Sequence, residues 1–269
     1  MKDVREIYYD ADQKVSITFV DVTTAAETLV KNHLCGPTAS YFLARSLAAA
    51  ALLASETSEK DEVLSIQMKC DGPLGGLNVE CSERGTLRGY TEQKLLEGLD
   101  DICSTDERAA LGAHQKWQVT RSVPGRIISQ GLATSLNEYL ADSLQRKAHL
   151  FLSACVTEAL EVTSARGMLL EYLPDALEQN PDWAKAQKVN LNSSPRTILK
   201  QLGLGAAELK KSQPLAFGCH CSKERAAATL VTLTPEDGQA LPPTIDIICH
   251  MCGKMYTLIN PFKRGETGK

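Results

Sequence analysis

The chain has 269 residues, 43% of them hydrophobic and 23% charged, with a formal net charge of −4. That composition is ordinary for a globular protein and excludes disorder throughout. The longest strongly apolar uncharged stretch, Ser46–Ser55, is far short of the roughly 20 residues that cross a bilayer. Met1–Asp12 has neither a basic n-region nor an apolar h-region, so a cytosolic protein with no membrane segment is expected.

Val15, Ile17 and Phe19 alternate with polar residues and predict a half-buried strand. Thr24-Ala-Ala-Glu27 has capping-box spacing and predicts a helix through Leu34. Gly36-Pro37 interrupts it. An Ala- and Leu-rich helix, Thr38 to Ala54, is expected to be buried on most sides. Leu64, Ile66 and Met68 form a strand, and Asp71–Gly76 reads as a turn rather than a phosphate loop, since it lacks Lys-Ser/Thr and opens no helix. Leu77–Cys81 and Leu87–Tyr90 complete an antiparallel meander. Residues 92–116 are polar and carry no clear period. Leu132, Leu136, Tyr139, Leu140 and Leu144 predict an amphipathic helix over about 131–146, its apolar face most simply a packing face. Leu150–Val156 and Met168–Tyr172 alternate as two more strands, ending at Pro174.

Residues 1–174 carry a net charge of −7, residues 175–217 carry +2 and residues 218–269 carry +1. The expected organisation follows these shifts: an α+β core domain (1–174) with a largely antiparallel sheet, a helical linker (175–217), and a small C-terminal metal-binding domain (218–269). In the linker, Ser194-Pro195 supplies an N-cap and first helical position, and a short helix, Arg196–Leu202, stops at Gly203. The linker is too sparse in apolar residues to form its own core and must lean on a neighbour. Ile198, Leu199 and Leu202 are a candidate client-binding or docking surface, or simply the helix's own packing face.

The nine cysteines divide unevenly: Cys35, Cys70, Cys81, Cys103 and Cys155 are scattered, while Cys219, Cys221, Cys249 and Cys252 are clustered. In a reducing compartment such a cluster indicates metal or redox chemistry. Cys219-His-Cys221 and Cys249-His-Met-Cys252-Gly253 are separated by 27 residues. Four thiolates at this spacing suit one tetrahedral Zn²⁺ with sulfur at about 2.3 Å. Gly253 allows the second knuckle to turn and to donate N–H groups to sulfur. In the extended C-x-C segment both sulfurs face the same side and His220 faces away. Ile245 and Ile247 predict a strand entering Cys249, with Met255–Leu258 as its partner.

From the motif alone, a purely structural zinc module and a redox switch both stand. A metal-bound sulfur is deprotonated and open to oxidants. Each thiol has a partner one or two residues away, with which a sulfenic acid can condense.

Phe217-Gly-Cys219-His-Cys221-Ser-Lys-Glu-Arg225 and Ile245-Asp-Ile-Ile-Cys249-His-Met-Cys252-Gly253 resemble the redox-regulated heat-shock chaperones of the bacterial cytosol, the thirty-three-kilodalton chaperonin family. Leu43–Leu53, Asp71–Gly75, Arg88-Gly-Tyr90, Gly131–Ser143 and Gly167–Pro174 are similar to that family's first domain. The resemblance implies a holdase that needs no ATP and is not an enzyme. It implies Cys219, Cys221, Cys249 and Cys252 as ligands of one zinc ion in a reduced, inactive state. It further implies Cys219–Cys221 and Cys249–Cys252 disulfides on oxidation, with loss of zinc, a loosened linker, a homodimer, and capture of unfolding client proteins.

Two other functions compete. A zinc-ribbon nucleic-acid-binding protein would want a basic surface, and neither the tail nor the chain supplies one. A thiol-disulfide oxidoreductase would place C-x-x-C at a strand-to-helix turn. Cys70, Cys81 and Cys155 fall within strand patterns and are expected to pack, leaving Cys103 as the exposed thiol. His33, His114 and His149 are isolated and read as surface or helix-end residues.

Overall fold

The computed structural model describes residues 3–176 and 183–263. The expected domain limits that run through 1–2, 177–182 and 264–269 fall partly outside the described residues. The chain opens with a hairpin of β1 (Val4–Asp10) and β2 (Val15–Asp21). The sequence reading passes over β1, because Arg5, Glu6 and Asp10 obscure its alternation. Arg5 is nevertheless 2% exposed. Its Nη1 donates to the Ala51 carbonyl at 2.7 Å and its Nη2 to Gln213 Oε1 at 2.5 Å, so the charge is buried with partners.

Next come α1 (Thr23–His33) and α2 (Pro37–Leu53). The helix α1 starts where its pattern indicates, but the capping box does not form. The Asp3 carboxylate accepts the Thr24 and Ala25 N–H groups instead, and Glu27 accepts from the Val162 N–H. The Asp3 carboxylate thus does the work of a local cap, while Glu27 is drawn to the start of a later strand. Pro37 occupies the first turn of α2, and Asp100 accepts the Thr38 N–H at 3.0 Å. With its 3₁₀ extension to Glu56, α2 is long and apolar enough to cross a bilayer, yet 83% of that window lies inside the protein. It is the central helix of the core, and Leu43, Leu47 and Leu52 are fully buried.

The meander follows as expected: β3 (Val63–Cys70), β4 (Gly76–Ser82) and β5 (Thr86–Thr91). A short α3 (Glu107–Leu111) precedes a second hairpin, β6 (Gln115–Val123) and β7 (Arg126–Ala133). The hairpin corrects the helix expected from 131. Leu132 lies on β7, 54% exposed, and the helical part is only α4 (Leu136–Glu138) with a π-helical turn at Tyr139–Ser143. Ser135 causes the late start, because its hydroxyl accepts the Glu138 N–H as an N-cap.

The strands β8 (Lys147–Val156) and β9 (Val162–Tyr172) form the next hairpin. The linker contributes α5 (Trp183–Gln187), α6 (Pro195–Leu202), and then two strands, β10 (Glu208–Pro214) and β11 (Ala216–Phe217). The tail holds α7 (Lys223–Leu230), α8 (Pro235–Ala240), β12 (Thr244–Ile248) and β13 (Met255–Ile259).

One sheet has the order β10-β1-β2-β9-β8 and the other β11-β5-β4-β3-β6-β7. Among the described residues every pairing in these sheets is antiparallel except the short β11–β5 contact. The helix α2 lies between these two sheets, and the main core surrounds it. The fold is therefore α+β with largely antiparallel sheets.

The strand β2 is buried on both faces. Val20 joins the main core, while Val15, Ile17 and Phe19 meet Ile198, Leu199 and Leu204 of the linker. Ser194 caps α6 through the Thr197 N–H, and both Ile198 and Leu199 are 1% exposed. The linker leans on the first sheet through the side chains its spacing singles out.

Candidate metal centre

Cys219 and Cys221 occupy the link between β11 and α7. Ser222 caps α7 by accepting the Arg225 N–H, and Arg225 Nη1 donates to the His220 carbonyl at 2.8 Å. These bonds hold the first knuckle against the helix. Cys249 and Cys252 sit in the turn from β12 to β13, which pair antiparallel, so Met255–Leu258 is the partner of the strand entering Cys249 as expected. The Cys249 N–H donates to the Lys254 carbonyl, and the Gly253 N–H donates to the Cys249 carbonyl. Gly253 has φ +71°, and a Cβ there would stand 2.3 Å from the Asn32 carbonyl. Glycine is thus required both by the turn and by the approach to α1. Its N–H donates to the Cys249 carbonyl rather than to sulfur as expected.

The four sulfur atoms all lie within 4.8 Å of one another. Cys219 and Cys249 are 3.8 Å apart, and Cys221 and Cys252 are 3.4 Å apart. A tetrahedral zinc site with sulfur at about 2.3 Å requires edges of about 3.8 Å. His220 is exposed and outside the cluster, while the His250 ring packs edge-on against Tyr90 at 4.0 Å.

The charges make the same demand. Burial raises the Cys221 thiol, but the Tyr256 hydroxyl at 3.1 Å and the neighbouring sulfurs bring it down to about 7. Burial pushes Cys249 and Cys252 up. Once one thiolate forms, the next must ionise beside a like charge. Four thiolates at this distance need a cation, so the donor set fits a divalent metal ion.

The cluster lies in a seam. Cys252 is 1% exposed and belongs to the main core, against which the other three also pack. From β5, Arg88 Nη1 reaches Cys219 Sγ at 3.9 Å and the Gly89 N–H donates to the Met251 carbonyl at 3.0 Å. His33 lies under the second knuckle, 3% exposed, and its Nε2 has no hydrogen-bond partner. Burial, and then the nearby Lys94, push the imidazole below its ordinary value. His33 is a helix-end residue, as expected, but a buried one. Arg88, Gly89, Tyr256 and His33 escape a reading of the cysteine motif. Arg88-Gly-Tyr90 stands out in the sequence, although nothing local shows that it faces the tail.

Among the remaining cysteines, Cys35 and Cys81 are buried, Cys70 and Cys103 are intermediate, and Cys155 is exposed. Cys155 rather than Cys103 is thus the accessible thiol, because it lies on the outward face of the edge strand β8.

The model of the Hsp33 protein family matches residues 5–258. The chain belongs to the Hsp33 family. Relatives named 33 kDa chaperonin include one from Lactiplantibacillus plantarum, 29% identical with 88% of each chain covered. Another, from Thermus thermophilus, is 27% identical over 89% of this chain and 79% of its own. The crystal structure of the Hsp33 homologue from Thermotoga maritima aligns with a TM-score of 0.84 over 97% of this chain and 96% of that one, at 18% identity. The two share the fold. The family is thus one of chaperones, and in this chain it comes with four cysteines placed where they could hold a metal ion.

Proposed function

We propose that the protein is a redox-switched holdase of the cytoplasm, a binding protein rather than an enzyme. In the reduced state Cys219, Cys221, Cys249 and Cys252 would hold one Zn²⁺, which neutralises the four thiolates and ties the two knuckles together. The observation that carries the reading is the position of the cluster: it joins the tail to the first domain just downstream of a linker whose helix covers an apolar sheet face.

Peroxide would take two electrons from each pair, with Cys219–Cys221 and Cys249–Cys252 as the disulfides. Each S–S bond forms as an O–O bond breaks, and two solvent protons complete two waters. Neutral disulfides no longer bind the cation. A tail in which, among the described residues, only Ala226, Leu230, Tyr256 and Leu258 are buried in its own core then has little to hold it folded. The linker, anchored between tail and core, loosens. It uncovers Tyr8, Ile17, Phe19, Met168 and Leu170, beside a cavity of about 430 Å³ at the N-terminal end of α6. That face would capture unfolding clients, and in the oxidised state would pair two chains as a homodimer.

The division into 1–174, 175–217 and 218–269 belongs to the same proposal. The strands β10 and β11 tie the end of the linker to both sheets of the first domain. The C-x-x-C turn joins two strands, which speaks against a thioredoxin-like oxidoreductase. The net charge of −4 speaks against nucleic acid as partner. Metal analysis tests the reading: one zinc per reduced chain, released in step with the loss of four thiols under peroxide. A reduced chain without metal, or one that keeps its metal after thiol loss, refutes it.

A further inference from the structure

Three consecutive residues of β5 face the tail. Arg88 donates to Cys219 Sγ in the first knuckle, the Gly89 N–H donates to the Met251 carbonyl in the second, and Tyr90 packs on His250. The Gly89 bond continues the edge of β5 beyond the point where β11 pairs with Thr86 and Leu87. Gly89 itself admits no side chain, since a Cβ would stand 2.6 Å from the Asn78 carbonyl.

Arg88 alone in this row carries a charge, and it is held in place. Its cross-strand partner Glu80 accepts from Nε at 2.7 Å and from Nη2 at 2.6 Å. That leaves Nη1 aimed at the sulfur. The other sulfur of the C-x-C pair, Cys221, accepts from Tyr256 within the tail. Among the described residues, Cys219 is the one of the four cysteines whose side-chain donor comes from outside the tail.

We propose that Arg88 couples the chemical state of Cys219 to the docking of the tail on β5. The inference rests on the redox reading above. In the reduced state a guanidinium faces a thiolate, a charge-assisted hydrogen bond in a partly desolvated seam. Peroxide removes two electrons from Cys219 and Cys221; the S–S bond forms, the O–O bond breaks, and two solvent protons complete two waters. The sulfur changes from an anion to a neutral, weak acceptor. Arg88 keeps Glu80 and loses Cys219. Oxidation therefore removes the cross-domain ion pair by the same event that removes the metal ligands, and the β5 edge opens. Arg88 is a positioning residue.

The test is hydrogen exchange of the reduced, zinc-loaded full chain, with zinc transfer to a chromophoric chelator measured in parallel. In Arg88→Met the Gly89 amide is expected to exchange about tenfold faster or more. Zinc transfer is expected to speed up about tenfold, the range usual when a donor to a metal ligand is lost. The amides of β3 and β4 keep their wild-type protection. Arg88→Lys, which retains the charge but not the fork, recovers part of both effects. Glu80→Gln, which frees the guanidinium from its anchor, gives a smaller loss.

Unchanged Gly89 exchange and zinc transfer in Arg88→Met overturn the proposal. So does loss of protection throughout β3 and β4, which marks a purely structural arginine. Should Arg88→Met fail to fold, the Arg88→Lys and Glu80→Gln pair decides by the same two measurements. Wild-type zinc content separates the two ideas: if the wild type holds no zinc the redox reading itself fails, and if it does, only the role of Arg88 is in question.

Discussion

At the scale of single residues, the donors around the sulfurs set how the cluster behaves. The Tyr256 hydroxyl stands 3.1 Å from Cys221. Tyr256→Phe keeps the packing of the ring and removes that donor, so zinc affinity is expected to fall about tenfold, read by chelator competition. The scattered thiols should separate by burial. Desolvation holds Cys81 at about 11 even though Arg5 lies beside it, whereas Cys155 is exposed. Brief alkylation of the folded protein at mildly alkaline pH should label Cys155 and spare Cys81 and Cys35, as peptide mapping will show. The four clustered cysteines are legible in the sequence because C-x-C and C-x-x-C spacing is local. Arg88 and His33 are not, because the tail residues they meet lie far along the chain.

At the scale of elements, the docking of α6 is the most consequential contact. Ile198 and Leu199 are buried against the first sheet. Ile198→Ala should cost about 2–4 kcal/mol of that docking, raising the undocked population roughly 30-fold or more. Faster proteolysis in the linker and partial client capture without oxidation are the expected readouts. Glu62 fixes the junction before β3. Burial alone would raise its carboxyl, but Arg121 and the Ser58 and Glu59 N–H groups together hold it below its ordinary 4.5. Its contribution to stability is thus complete above that value and lost as pH falls through the lowered one. Thermal melts taken from neutral pH down through the carboxylate range should show a shallower acid loss for Glu62→Gln than for wild type. Period and caps placed α2, α6 and the meander correctly, since each is bounded by Gly, Pro or Ser and has one clear buried pattern. They failed at α4, where Leu132, Leu136 and Tyr139 keep helical spacing across a strand end, and at α1, where remote Asp3 replaces the local cap.

At the scale of the whole molecule, three segments with different charge and composition become one interlocked unit. The strands β10 and β11 belong to the two sheets that flank α2, and the four clustered cysteines pack on the core around it. The charge shifts and the cysteine pairs are legible along the chain. The interlock is not, because strand partners such as β1 with β10 depend on pairing across most of the length of the chain. In the proposed function this interlock carries chemistry at four sulfurs to an apolar surface elsewhere.

The most direct measurement is light scattering from a thermally aggregating client. The protein is added reduced and zinc-loaded, peroxide-oxidised, or oxidised and then returned to dithiol and zinc. The account requires suppression by the oxidised form alone, lost again on reduction. Equal suppression by the reduced form, or none by either, would contradict it.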